Sequence, residues 1–148
     1  MNMPAAVPNP AADIARGVVR LLFDMGFGSL PEFTLGSGRR ADVIGLDTSG
    51  RFTIVEVKSS VADFRCDRKW RDYLDYCDAF YFAVGRDFPV ALMPDDCGLM
   101  IADPFEAAIV RPPVESRLNG SRRKAQTLRF ALIAARRLAL PPGAAMPA

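Results

Sequence analysis

Residues 39–58 read RRADVIGLDTSGRFTIVEVK, and this stretch decides the fold. Two runs with strand character, Ala41–Leu46 and Arg51–Lys58, flank Asp47-Thr48-Ser49-Gly50, a turn-forming segment that marks a β-hairpin. Side chains alternate along a strand, so Glu56 and Lys58 share one face. If Thr48-Ser49-Gly50 forms a three-residue loop with Gly50 left-handed, Asp47 pairs with Arg51. Counting back from that pair sets Asp42 opposite Glu56, with Cβ atoms ~4.5–5.5 Å apart. A four-residue loop would instead pair Asp42 with Val55 and turn its carboxylate elsewhere.

Two opposed carboxylates repel, and a divalent cation is a physical reason to bring them together. Mg²⁺ takes oxygen ligands at ~2.0–2.1 Å and keeps several waters. Asp42 and Glu56, with the carbonyl of Val57, are candidates to hold one side of Mg²⁺ or Mn²⁺. A metal-bound water is easier to deprotonate, and the metal polarises a phosphoryl oxygen. Lys58 is the candidate to orient that water or stabilise phosphate charge. Glu-x-Lys alone is an ordinary solvated ion pair; the spacing of Asp42 and the apolar flanks lift it above that.

The rest of the 148-residue chain supplies the frame. Apolar Ile14, Val18, Leu21, Leu22 and Met25 fall on one helical face and predict a helix over Ala11–Met25, stopped by Gly26. Glu32–Leu35 is a short strand candidate. Ser60 and Asp63 have capping-box spacing and open a helix that runs through Cys66, Trp70, Tyr73, Leu74 and Cys77 to about Asp78. Ala79–Val84 is continuously apolar, as in a strand buried on both faces. Weaker strands follow near Leu99–Ala102 and Ala107–Val110. Ser121 is the expected cap of a last helix to about Leu138, whose apolar face is Leu128, Ala131, Leu132, Ala135 and Leu138. The expectation is a single α/β domain over 11–140, with a mixed central sheet flanked by helices. Residues 1–10 read as a flexible arm and 141–148 as a flexible tail.

Composition removes much chemistry. With no histidine, Ser-His-Asp and Cys-His hydrolysis and histidine-ligated zinc are excluded. The three cysteines, Cys66, Cys77 and Cys97, lack C-x-x-C spacing and suit a reducing cytoplasm better than a disulfide framework. No run is apolar and long enough to span a bilayer, so no membrane association is expected. From Arg111 onward eight bases stand against one acid, while the first 110 residues hold eleven bases and sixteen acids. A basic tail on an acidic body points to a polyanion-facing surface.

The order helix, three-strand meander carrying acid then acid-x-lysine, helix, strand resembles the PD-(D/E)XK nucleases, the fold of restriction enzymes and Holliday junction resolvases. Glu32–Asp42, Glu56-Val57-Lys58-Ser59-Ser60, Asp63-Phe64-Arg65 and Asp75-Tyr76-Cys77-Asp78 further resemble the MmcB family of bacterial DNA-repair proteins. The resemblance implies a restriction-endonuclease-like αβββαβ core and a DNA-repair role. It leaves two functions open: a metal-dependent nuclease with Asp42, Glu56 and Lys58 catalytic, or a non-catalytic module gripping branched or damaged DNA or another repair protein. In one respect the chain departs from the pattern. Ala15 stands where many resolvase-like members carry a first-helix glutamate; Asp13, about 200° away around the helix, and Glu32 are the candidate substitutes.

For nucleic acid, Arg39 and Arg40 follow Gly36-Ser37-Gly38, whose amides suit an anion nest. Arg122, Arg129 and Arg136 recur every seven residues as a stripe ~21 Å long, opposite the expected apolar face. Among Arg65, Arg68, Lys69 and Arg71, interleaved Asp67, Asp72 and Asp75 are expected to pair most of the charges. Lys69 is the one expected to face the site. The aromatics Trp70, Phe80, Tyr81 and Phe82 read as core.

Overall fold

A computed structural model describes residues 7–141 and 143. Asn9 accepts a hydrogen bond from the Ala12 amide and caps helix α1, Pro10–Asp24, so the helix begins inside the expected arm. Residues 1–6, 142 and 144–148 of the expected arm and tail lie outside the described residues. Six strands follow: β1 (Gly28–Thr34), β2 (Arg40–Leu46), β3 (Phe52–Lys58), β4 (Ala79–Val84), β5 (Gly98–Ala102) and β6 (Ala107–Arg111). They form one sheet in sequence order. The β1-β2-β3 meander is antiparallel, β3-β4 and β4-β5 are parallel, and β5-β6 is antiparallel. This is the mixed αβββαβ architecture expected. β1 is longer than Glu32–Leu35, and its Pro31 is tolerated because β1 is an edge strand.

Both sheet faces are covered. Ile14, Val18 and Leu22 of α1 pack on Val43, Val55, Val57, Tyr81 and Met100. On the other face Phe52, Ile54, Phe80 and Phe82 meet Trp70, Tyr73 and, from the last helix, Phe130 and Ile133. Since β3 and β4 lie inside the sheet, every residue of Phe52–Lys58 and Ala79–Val84 is buried. The run includes Glu56 and Lys58.

Two helix expectations need correction. The helix expected to run to Asp78 is two pieces: α2, Val61–Cys66, and a 3₁₀ turn, Trp70–Tyr76. Ser60 and Asp63 form the expected cap, with the Ser60 hydroxyl accepting from the Asp63 amide and the Asp63 carboxylate accepting from Ser59. The break comes at Asp67, whose extended backbone ends α2 and whose carboxylate accepts from the Lys69 amide. A side chain that captures a backbone amide in this way competes with helix continuation.

The last helix, α3 (Gly120–Ala139), is capped by Asn119, not Ser121; Asn119 Oδ1 accepts from the amides of Ser121 and Arg122. Its leucine face is not its docking face. Leu128, Leu132 and Leu138 are 63%, 46% and 88% exposed, whereas Gln126 is buried and Phe130 and Ile133 enter the core. Polar grips decide this orientation. Arg123 pairs with buried Asp78, which also accepts from the amides of Phe52 and Leu118. Gln126 Nε2 donates to the Tyr76 carbonyl, and Arg137 donates to the carbonyls of Pro31 and Glu32.

Candidate active site

Gly50 has φ +80°, the Asp47 amide donates to the Arg51 carbonyl, and Val43 pairs with Val55. The three-residue loop and its register are therefore present. The regular β2–β3 ladder runs from Leu46↔Phe52 to Val43↔Val55, and beyond it the two acids take over. The Asp42 amide donates to Glu56 Oε1 at 2.8 Å, and the Val57 amide donates to Asp42 Oδ2 at 2.8 Å. Each carboxylate thus substitutes for a backbone carbonyl of its own strand. The exchange holds both carboxylates between the strands, with Glu56 only 4% exposed.

Burial disfavours the charged form of Glu56, and the adjacent Asp42 charge adds to this; its carboxyl is pushed up to about 8. Asp42 is also raised, by burial first, against the lowering effect of the Val57 amide and the Lys58 charge. Burial and the Asp42 charge thus both favour the protonated form of Glu56. Lys58 is buried beside them, and its ammonium pairs at 2.9 Å with Asp67, which the sequence had set among the arginines of a helix. No sequence signal marks this contact, because it depends on the break in α2. Asp63 lies close enough to Asp42 to raise its pKa further.

The other candidates are dispersed. Asp13 pairs with Arg16 at 2.6 Å on α1, against the opposite sheet face. Glu32 is exposed, in an unusual left-handed conformation for a non-glycine residue (φ 50°), with its carbonyl held by Arg137. Among the described residues no third histidine, cysteine or acid joins Asp42 and Glu56 in a metal-binding group. Neither candidate substitute fills the Ala15 position. Glu56 and Asp42 each keep one carboxylate oxygen outside the amide bonds described above. Those two hard oxygen donors are of the type that a Mg²⁺- or Mn²⁺-type ion keeping several waters takes.

The cations expected to meet nucleic acid or the site divide into held and free. Arg39 is held: it donates to the Lys69 carbonyl and to Asp72 and lies over the Tyr73 ring at 4.8 Å. The expected nest is occupied, because the Gly38 amide donates to the Leu35 carbonyl and the Arg39 amide to Ser37 Oγ. Arg40 is exposed, and its carbonyl accepts from the Tyr73 hydroxyl. The expected pairing within the second helix does not occur. Asp67 goes to Lys58, Asp72 to Arg39 and Arg71 to Asp96. Arg65, Arg68 and Lys69 are exposed without an ion pair among the described residues. Lys69 borders a cleft with Ser37, Arg39, Asp72, Asp75 and Tyr76 and does not enter the carboxylate pocket. On α3, Arg122 donates to the Asp75 carbonyl and lies over Tyr76, while Arg129 and Arg136 are exposed in the same groove as Leu128 and Leu132. The stripe flanks the leucines and does not oppose them. No helix among the described residues is long and apolar enough to cross a membrane.

Comparison with known proteins agrees with this architecture. The chain is similar to a protein of unknown function from Silicibacter pomeroyi, with TM-score 0.86, 45% identity and coverage of 90% of this chain and 91% of that one. A repair endonuclease from Pyrococcus abyssi is a distant structural neighbour, with TM-score 0.35, 18% identity and coverage of 58% and 40%. No curated protein matches. Residues 3–143, nearly the whole chain, match the MmcB-like DNA repair proteins, and the chain belongs to that family.

Proposed function

We propose that this DNA repair protein is a divalent-metal-dependent nuclease that hydrolyses DNA phosphodiester bonds. The observation that carries the reading is the reciprocal Asp42–Glu56 arrangement, a buried and a half-buried carboxylate each held by an amide of the other's strand. Burying two acids together is costly without a compensating cation. Asp42, Glu56 and the Val57 carbonyl would hold Mg²⁺ or Mn²⁺, which supplies an acidified water and polarises the phosphoryl oxygen. Arg40, Arg65, Arg68 and Lys69, exposed and without an ion pair among the described residues, are suited to phosphates of branched or damaged DNA. Lys58, through its ammonium, stabilises negative charge at the reacting phosphate.

One observation favours the second reading, a DNA-binding or repair-partner module without hydrolysis. Lys58 is committed to Asp67, and the pair is 8% and 12% exposed. The test is incubation with single-stranded, duplex, flap and four-way DNA in Mg²⁺, Mn²⁺ or EDTA, with Asp42→Asn and Lys58→Ala beside wild type. The nuclease reading expects metal-dependent cleavage that both variants lose. Tight binding with no cleavage of any substrate in either metal would overturn it and leave the binding module standing.

A further inference from the structure

The last helix carries a surface that the carboxylate pocket does not use. Its exposed side repeats Ala125, Leu128, Leu132 and Ala135 at spacings of three, four and three, the seam of a helix–helix contact. Arg122, Arg129 and Arg136 run along one flank of that seam. Ala125, Leu128, Leu132 and the three arginines, together with Tyr76 and Ile133, line an open groove of about 530 Å³. Leucine exposures of 63% and 46% at adjacent turns are not explained by folding, since the helix is already docked through Arg123, Gln126, Phe130 and Arg137. Contiguous apolar surface of this kind marks an interaction site.

Charge selects the occupant. Residues 120–139 contain six cations and no acid. Two copies of α3 laid seam to seam would bring basic flanks together, which disfavours a second copy. Residues 1–6 and 144–148 have no acidic residue to offer either. Nucleic acid would satisfy the arginines but leave the leucines facing a phosphate backbone. Arg122 is already laid over Tyr76 at 4.5 Å, where it forms part of the groove wall. We infer that the α3 groove is a docking site for an acidic amphipathic helix of a partner protein. That helix seats apolar side chains against Leu128, Leu132 and Ile133 and sets carboxylates against Arg129 and Arg136.

The probe is a fluorescein-labelled three-heptad peptide with leucines at seam spacing and glutamates on the flanks. A control peptide has serine for every leucine and the same charge. Fluorescence anisotropy with the full chain should show binding of the leucine peptide, weakened about tenfold or more by Leu128→Ser with Leu132→Ser. Arg129→Gln with Arg136→Gln should weaken it and flatten its salt dependence, and the serine peptide should bind poorly. Both substituted pairs are exposed, so an unchanged melting temperature verifies that the fold is intact. Equal binding of the two peptides, or no effect of the leucine substitutions, would overturn the inference in favour of a general polyanion surface. Duplex DNA that displaces the peptide and itself loses affinity in the leucine variant would assign the groove to nucleic acid. A dimer in sedimentation equilibrium that Leu128→Ser with Leu132→Ser dissociates would assign it to a second copy.

Discussion

Glu56→Gln is expected to abolish the pH dependence of stability between pH ~5.5 and ~8.5, and the size of the effect follows from the surroundings of Glu56. In the native chain burial and the neighbouring Asp42 charge push the Glu56 carboxyl up to about 8, from its ordinary value of 4.5. Between those values the folded protein binds a proton that the unfolded chain releases, so stability falls as pH rises. The contribution is complete below the unfolded value and is lost as pH climbs through about 8. Integrating between pH ~5.5 and ~8.5 gives a loss of about 3 kcal/mol, or a drop of roughly 6–12 °C in melting temperature for a domain of this size. Few other groups intrude: the chain has no histidine, and Cys77 and Cys97, pushed up by burial to about 12 and about 11, add to the decline only as pH passes their ordinary value of 9.0. Glutamine keeps an oxygen for the Asp42 amide and places an NH₂ donor toward the Asp42 carboxylate, so the variant needs no proton. Urea unfolding in EDTA at those two pH values should show the decline in wild type and a near-flat profile in Glu56→Gln. Mg²⁺ should stabilise wild type more at the higher pH, because metal and proton compete for the same oxygens. A flat wild-type profile, or an equal slope in both proteins, would refute the protonated-pair account.

Asp67→Asn removes the partner of buried Lys58 and is expected to cost about 3 kcal/mol. The freed ammonium should also shift the Glu56-linked decline to lower pH, which the same pH series measures; an unshifted decline counts against coupling. Asp78 is held down at about 2 by Arg123 and by the amides of Leu118 and Phe52, despite the opposing effect of burial, so its contribution is present above ~4 and lost as pH falls through about 2. Asp78→Ala should lose about 3–5 kcal/mol in urea at neutral pH, and a loss under 1 kcal/mol would show that α3 does not depend on this anchor. A Cβ on Gly17 would collide with the Asp103 carbonyl oxygen and lie 2.6 Å from that of Glu106, so Gly17→Ala should lower the melting temperature sharply; an unchanged melt would contradict the tight α1 packing.

The hairpin was legible because its turn chemistry is local: Gly50 takes the positive φ that sets the loop length, and loop length sets the register. The Asp42–Glu56 juxtaposition followed from that alone. What pairs with Lys58 was not legible. Helical periodicity from Cys66 to Cys77 suggested one continuous helix, and only the break at Asp67 frees that carboxylate to reach β3. Helix α3 misled for a related reason. Its longest aliphatic side chains mark the leucine face, but Arg123–Asp78, Gln126 and Arg137 fix its rotation through contacts 45, 50 and 106 residues away in sequence. A weaker signal was present in Gln126, Phe130, Ile133 and Arg137, which share a face at i, i+4, i+7 and i+11. Hydrophobicity ranked it second because half of it is polar.

The charge balance of the pocket links the lysine to the carboxylates. Lys58 and Asp67 neutralise one another in a buried pair, so Lys58 lowers the pKa of Asp42 and Glu56 without fully offsetting their charge. Fully ionised, the two acids would carry a buried double negative charge, and the proton on Glu56 halves it. In the proposed nuclease, Asp42 and Glu56 would hold a divalent cation through the oxygens left outside the amide bonds to Oδ2 of Asp42 and Oε1 of Glu56, and its charge would complete the neutralisation that the proton begins. Under that proposal the site would exchange one bound proton for a cation carrying one charge more. A purely structural pair has no use for this arrangement, since an uncharged residue at position 56 would keep the strand contacts without the pH penalty. A cost in stability at alkaline pH is therefore what the proposed cation site predicts, and it is measurable without any assay of DNA.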